Sequence, residues 1–126
     1  MQLNHIGINI TDETDIQRFY EEILGFQRER DFSIAASIAR QFFAIHREVK
    51  IFLLKKGQFK LELFVHDEPV RCGFSHLCIE VDNRETIIQQ CKAKGFPVLR
   101  MKRENGDLIF IQDTSGNRFE LKNNIS

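Results

Sequence analysis

The sequence predicts an α+β fold made of two similar halves, each a strand, a helix and three further strands. Three observations carry this. Leu3-Asn4-His5-Ile6-Gly7-Ile8-Asn9-Ile10 opens the first half and Phe74-Ser75-His76-Leu77-Cys78-Ile79-Glu80-Val81 opens the second, both alternating apolar residues with others. Each opening strand precedes a helical pattern stopped by glycine, at Leu24-Gly25-Phe26 in one half and Lys94-Gly95-Phe96 in the other. Each half then closes on a strand with one glutamate, Phe59-Lys60-Leu61-Glu62-Leu63 and Arg118-Phe119-Glu120-Leu121. The modules are residues 1–66 and 74–126 of a single domain, joined by residues 67–73, which contain Pro69.

In chain order, Thr11 and Asp12 supply an N-cap for a helix on which Ile16, Phe19, Tyr20, Ile23 and Leu24 recur as one apolar stripe. In the second half Asp82 or Asn83 caps, Ile87, Ile88 and Cys91 form the stripe, and Gly95 stops the helix before Phe96-Pro97. Residues 50–54 and 58–65 read as a strand pair turning at Lys56-Gly57, and residues 108–111 and 117–121 as a pair turning at Asp113-Thr114-Ser115-Gly116. One further strand precedes each pair. The apolar stretch 31–45 breaks the symmetry: Ile34, Ile38, Gln41, Phe42 and Ile45 fit a short helix, whereas the Ala and Ser alternation fits part of a long strand. Its role is equally open between a lid over a substrate and a peripheral or dimer-packing segment.

Successive strand side chains point to opposite faces, so His5, Glu62, His76 and Glu120 all leave the polar side of strands whose other side is apolar. Two imidazoles and two carboxylates at equivalent places of a repeat form a metal-ligand set. Without a thiolate, this donor set suits nickel, zinc, cobalt, manganese or iron(II). His66 shares the face of Glu62, either behind the ligands or at the cup mouth, with a structural or solvent-facing role favoured. His46 has no partner in the repeat.

Composition narrows the partners. Lys plus Arg and Asp plus Glu are both 18, for a formal net charge of zero, so no global field draws the chain to nucleic acid or an anionic membrane. A small molecule and a second copy of the chain remain as partners. No apolar stretch approaches a membrane span and the start lacks a secretory pattern, which makes the cytoplasm the expected compartment. Cys72, Cys78 and Cys91 have no CxxC spacing and read as packing residues, with Cys78 on the His76 face.

With these residues in place, the chain resembles the vicinal-oxygen-chelate superfamily of glyoxalase I, methylmalonyl-CoA epimerase, extradiol dioxygenases, and fosfomycin and bleomycin resistance proteins. The carriers are Asn4-His5-Ile6-Gly7-Ile8, Phe19-Tyr20 with Leu24-Gly25-Phe26, Leu61-Glu62-Leu63, Ser75-His76-Leu77-Cys78, and Asp113 through Leu121, similar to the family's Asp-Pro-x-Gly-Asn ending with Thr114 in place of Pro. The resemblance implies paired βαβββ modules whose mostly antiparallel sheets curve into a cup around a divalent ion, with helices on the outer face. The full His, Glu, His, Glu set is most like glyoxalase I. A methylmalonyl-CoA epimerase generally has an amide where Glu62 stands, and bleomycin-binding relatives usually lack the set. The implied activity is isomerisation of a 2-oxoaldehyde thiohemiacetal to a thioester through an enediolate, with Glu120 as first candidate base and Glu62 as second. The alternatives are an epimerase and a non-catalytic antibiotic-binding resistance protein. Arg28, Arg30 and Arg40 are the candidate anchors for a substrate carboxylate. A homodimer is expected, because two short open sheets need partner edges or faces, and the resemblance implies that His5 and Glu62 of one copy meet His76 and Glu120 of the other.

Overall fold

Both modules form, with the same strand order in each. The structure is a computed structural model that describes residues 1–69, 71 and 73–124. In the first module β1 (Ile6–Ile10) leads to a π-helical segment (Ile16–Glu21), β2 (Gln27–Ile34), α1 (Ala36–Phe43), β3 (Val49–Lys56) and β4 (Phe59–Val65). The second repeats this plan with one helix, as β5 (Leu77–Val81), α2 (Arg84–Lys94), β6 (Val98–Met101), β7 (Leu108–Gln112) and β8 (Arg118–Asn123). Two 4-stranded sheets result, ordered β1-β4-β3-β2 and β5-β8-β7-β6. In each sheet the first strand pairs parallel with the last and the remaining pairs are antiparallel.

The expected two-module α+β plan is therefore present, and the alternation that predicts it decides what is buried. Leu61 and Leu63 of β4 and Phe119 and Leu121 of β8 face inward, where they meet Phe19, Tyr20, Ile87, Ile88 and Cys91 from the helical elements in one shared core. Burial pushes the Cys91 thiol up to about 11, which keeps it a neutral packing group. Cys72 lies outside the described residues, as does Val70 within the expected joining segment. Among the described residues no helix is long and apolar enough to cross a membrane.

Two local expectations need correction. The first helix is not an ordinary α-helix: the Glu22 and Leu24 N–H groups donate to the carbonyls of Gln17 and Phe19, at 2.9 and 3.1 Å, the five-residue reach of a π-turn. Ile16, Phe19, Tyr20, Ile23 and Leu24 all reach the core, as their spacing predicts. At its start Asp12 alone caps, accepting from the Thr14 N–H at 2.9 Å, while the Thr11 N–H donates to Ser115 Oγ of the other module at 2.7 Å. Asn83 precedes α2 without a side-chain capping bond. The stop signals hold: Gly25 and Gly95 take φ of 80° and 82°, the left-handed region open to glycine.

The modules are joined by a buried polar network. Tyr20 Oη donates to Asp113 Oδ2 at 2.6 Å, and the same carboxylate accepts from the Ser115 and Asn117 N–H groups and from Asn117 Nδ2. Asn117 Nδ2 also reaches the Asn9 carbonyl in β1, at 2.7 Å. Asp15, fully buried, accepts from both the N–H and the hydroxyl of Thr114. A proline at position 114 has neither donor, so threonine here gives Asp15 its partners. Burial raises the Asp113 carboxyl despite these hydrogen bonds, and raises Asp15 likewise.

Burial, followed by the negative charge of Asp113, holds the Tyr20 phenol well above its ordinary value of 10.0. A group raised in the folded state stabilises the fold fully below its ordinary value, and that contribution is lost as pH rises through the folded one. Tyr20 is the sole tyrosine and tryptophan is absent, so tyrosinate absorbance reports this group alone. On alkaline titration the tyrosinate band is expected to appear only together with loss of far-ultraviolet circular dichroism. A band rising near pH 10 with the dichroism intact would show that the phenol is not held in this network.

Candidate metal centre

His5 and His76 are the residues immediately before β1 and β5, while Glu62 and Glu120 lie within β4 and β8. Parallel pairing sets Gly7 against Glu62 and Cys78 against Glu120, which brings each histidine over the glutamate of its own module. His5 Nε2 stands 3.1 Å from Glu62 Oε2, and His76 Nε2 stands 3.3 Å from Glu120 Oε1. One chain thus assembles two His–Glu pairs rather than one cluster of four. Among the described residues no group of three or more His, Cys, Asp or Glu side chains is placed to hold a metal ion. The shared core lies on the apolar side of both sheets, so each pair is carried on the opposite side of its own sheet.

The outer nitrogen of each imidazole is already engaged. His76 Nδ1 lies 2.8 Å from the Phe74 carbonyl, and His5 Nδ1 lies 2.9 Å from Asn4 Oδ1. A carbonyl oxygen only accepts, so Nδ1 carries a hydrogen, and Nε2 faces the carboxylate with either a second proton or a bare lone pair. Two lone pairs facing at about 3 Å repel unless a positive charge lies near both. A proton on Nε2 answers that requirement within the pair alone, and a divalent ion bound by imidazole Nε2 and carboxylate, with Nδ1–H tied to an oxygen behind it, answers it when bound. The donor set and its orientation fit such an ion. His76 also packs on Phe110, with ring centroids 5.2 Å apart, and Lys122 Nζ lies 3.8 Å from Glu120 Oε2. Cys78 faces Glu120 across the β5–β8 pair. Burial first, then the Glu120 charge, raises its thiol, so it is a neutral neighbour of the carboxylate.

The ambiguous stretch 31–45 divides in two, with β2 ending at Ile34 and α1 running from Ala36 to Phe43. Its place is the polar side of the first sheet. Ala39 is fully buried there with Val49 and Ile51, and Phe43 packs on Phe64 at 5.2 Å. The helix therefore forms a wall of a cavity of about 470 Å³ that also holds His5, Glu62, Phe64 and His66. His66 is half-buried: it lines this cavity, and Arg47 Nη2 bonds its Nδ1 at 3.1 Å. Nothing periodic in the sequence marks Arg47, whereas the four-residue spacing from Glu62 to His66 was visible. His46 lines a separate hollow with Ala36, Ser37 and Arg40.

The three candidate arginine anchors separate. A bulge between Arg28 and Arg30 sets Arg28 against Leu54 and Arg30 against Leu53. Leu54 belongs to the main core and Leu53 pairs with Glu62, so the bulge sends Arg28 to the helical side and Arg30 to the Glu62 side. Arg28 stacks on Phe52 and bonds Glu21, which removes it from the site. Arg30 lies over Phe32. Arg40, on α1, borders the His46 hollow instead of the cavity with Glu62.

The Glyoxalase/Bleomycin resistance protein/Dioxygenase superfamily is matched over residues 2–121. The chain belongs to this superfamily. Solved structures share its fold: a glyoxalase family protein from Enterococcus faecalis is 24% identical with a TM-score of 0.66, covering 95% of each chain. The fosfomycin resistance protein FosX from Listeria monocytogenes is 17% identical with a TM-score of 0.71, over 98% of this chain and 93% of that one. A mutant of that FosX was crystallised with Mn(II) and 1S,2S-dihydroxypropylphosphonic acid; it is 17% identical with a TM-score of 0.70, over 95% and 90% of the two chains. No curated protein matches this superfamily member in sequence.

Purified protein, stripped and reloaded with a divalent metal, is expected to bind one ion per two His–Glu pairs. The His5→Ala, His76→Ala double variant should retain none while keeping its far-ultraviolet dichroism, since neither side chain enters the core. Stoichiometric metal retained by that variant, measured by elemental analysis, would refute the ligand set.

Proposed function

We propose that the protein is a divalent-metal-dependent lyase of the glyoxalase type, which isomerises the thiohemiacetal of a 2-oxoaldehyde to a thioester. The observation that carries this reading is the repetition of one His–Glu pair at equivalent places of the two sheets, each with its Nδ1 held and its Nε2 facing a carboxylate. His5, Glu62, His76 and Glu120 would hold the ion, which supplies Lewis-acid polarisation of a substrate carbonyl. Glu120 would take the proton from the carbinol carbon of the thiohemiacetal and return it to the adjacent former carbonyl carbon, while the hydroxyl proton passes from the carbinol oxygen to the former carbonyl oxygen. Its carboxylate is regenerated and no atom is gained or lost. Glu62 is the second candidate for this transfer. The inward packing of Leu61 and Leu63, and of Phe119 and Leu121, holds the two glutamates in place.

The active unit in this reading is a homodimer. Each pair alone is half of a ligand set, so His5 and Glu62 of one copy are joined by His76 and Glu120 of a second. The exposed apolar residues support such an association: Phe42 is 69% exposed, Phe74 100% and Leu99 68%. Mixing a His5→Ala variant with a His76→Ala variant is then expected to restore one intact site per heterodimer. Proven subunit exchange without recovery of metal binding would place the sites within single chains.

The fold shared with FosX supports a second reading, a resistance protein of the same superfamily that takes a phosphonate antibiotic. A methylmalonyl-CoA epimerase uses the same proton transfer on another substrate. Metal-loaded protein offered methylglyoxal with glutathione or bacillithiol should form the thioester. Glu120→Gln should lower the rate by about a hundredfold or more, the scale of a positioned base, with the dichroism unchanged. Deuterium wash-in from heavy water into methylmalonyl-CoA would favour the epimerase. Inertness to both, with tight binding of fosfomycin, would favour the resistance protein.

A further inference from the structure

The cavity beside His5 and Glu62 has a second polar end that proton transfer does not use. β4 carries Glu62 and Phe64 on one side, and His66 continues that alternation just past the strand end, where its N–H donates to the Ile10 carbonyl at 2.8 Å. Four strand residues span about 13 Å, which sets the distance between the Cα atoms at the two ends. Phe64 lies between them with Phe43 packed against it and Asn9 of β1 beside it, so the stretch from end to end is mostly apolar with one amide at its edge.

The tautomer of His66 is fixed by its neighbour. Arg47 Nη2 lies 3.1 Å from His66 Nδ1, and a guanidinium only donates, so Nδ1 accepts and the ring hydrogen is on Nε2. The same guanidinium bonds the Val65 carbonyl at 3.3 Å and Asp67 Oδ1 at 3.2 Å, which anchors it and balances its charge. His66, which lines the cavity, thus carries its ring hydrogen on Nε2 as a donor held in place by Arg47, and a volume of about 470 Å³ admits a ligand well beyond three carbons.

We propose that this cavity selects an elongated substrate with chelating oxygens at the His5–Glu62 end, an apolar body against Phe43 and Phe64, and a carboxylate or carbonyl oxygen received by His66 Nε2–H. Arg47 is the positioning residue that holds the donor in that tautomer. The inference rests on the proposed metal at His5 and Glu62 and adds the length and tail chemistry of the substrate.

Three metal-chelating probes separate the ends: acetohydroxamate has the head alone, benzohydroxamate adds an apolar body, and para-carboxybenzohydroxamate adds the accepting tail. Titrated calorimetrically into metal-loaded protein, the carboxylated probe is expected to bind about tenfold tighter than benzohydroxamate, the scale of a hydrogen bond to a charged group. His66→Phe should abolish that advantage while acetohydroxamate binds as before. The wild-type series stands without the variant should His66→Phe fail to fold. If acetohydroxamate does not bind metal-loaded protein, the metal reading falls and this inference with it. If it binds but the carboxylate gives no gain, or the gain survives in His66→Phe, the inference alone is overturned.

Discussion

The rest of the structure depends on the buried contact between Tyr20 and Asp113, because it fixes how the two modules meet. The phenol from the first module and the carboxylate from the second are both removed from water, and each makes good the hydrogen bonds that burial would otherwise cost the other. Ser115, Asn117 and Thr114 extend the contact to Thr11, Asn9 and Asp15, so the turn between β7 and β8 is bonded to both ends of the β1 connection. Around it Phe19, Phe96 and Phe119 close the core, with ring centroids 5.0 and 5.7 Å from Phe19. Two sheets welded on their apolar sides must turn their polar sides away from that core.

The candidate site follows from this constraint. Alternation along β4 and β8 sends Glu62 and Glu120 away from the core, and parallel pairing with β1 and β5 delivers a histidine to each. Neither glutamate is free in solvent: their side chains are 15% and 16% exposed. Each imidazole is held from behind by an oxygen, an arrangement in which the side chains are set before a ligand arrives. The two pairs differ in their surroundings. Glu62 stands in a cavity walled by α1, whereas Glu120 has Cys78 and Lys122 beside it.

That difference traces to the one departure from internal symmetry. α1 has no counterpart in the second module, and it occupies the polar side of the first sheet. Its presence explains why β3 is apolar on both sides: Phe52 and Leu54 belong to the main core, while Val49 and Ile51 pack under Ala39. The helix buries little else, leaving Ile38 and Phe42 exposed. The first sheet thus has a pocket walled by a helix on its polar side, and the second lacks that wall.

The sequence by itself determined what local periodicity can encode. Repeated strand openings, glycine stops and single glutamates among leucines established the two-module fold and the four candidate ligands, because a strand's alternation needs no knowledge of its partners. Tertiary structure decided the rest. Whether His5, Glu62, His76 and Glu120 form one cluster or two pairs depends on which sheet faces meet, and that is set by long-range packing around Tyr20 and Asp113. Residues 31–45 fit two periods, and the choice between them came from the apolar surface of β3 that needed cover. Arg28 and Arg30 share one parity in sequence, yet a single bulge in β2 places them on opposite faces. Arg47 reaches His66 only because the end of β4 lies beside the start of β3. A bulge, a crossing or a shared core breaks the local rule without leaving a periodic trace in the chain.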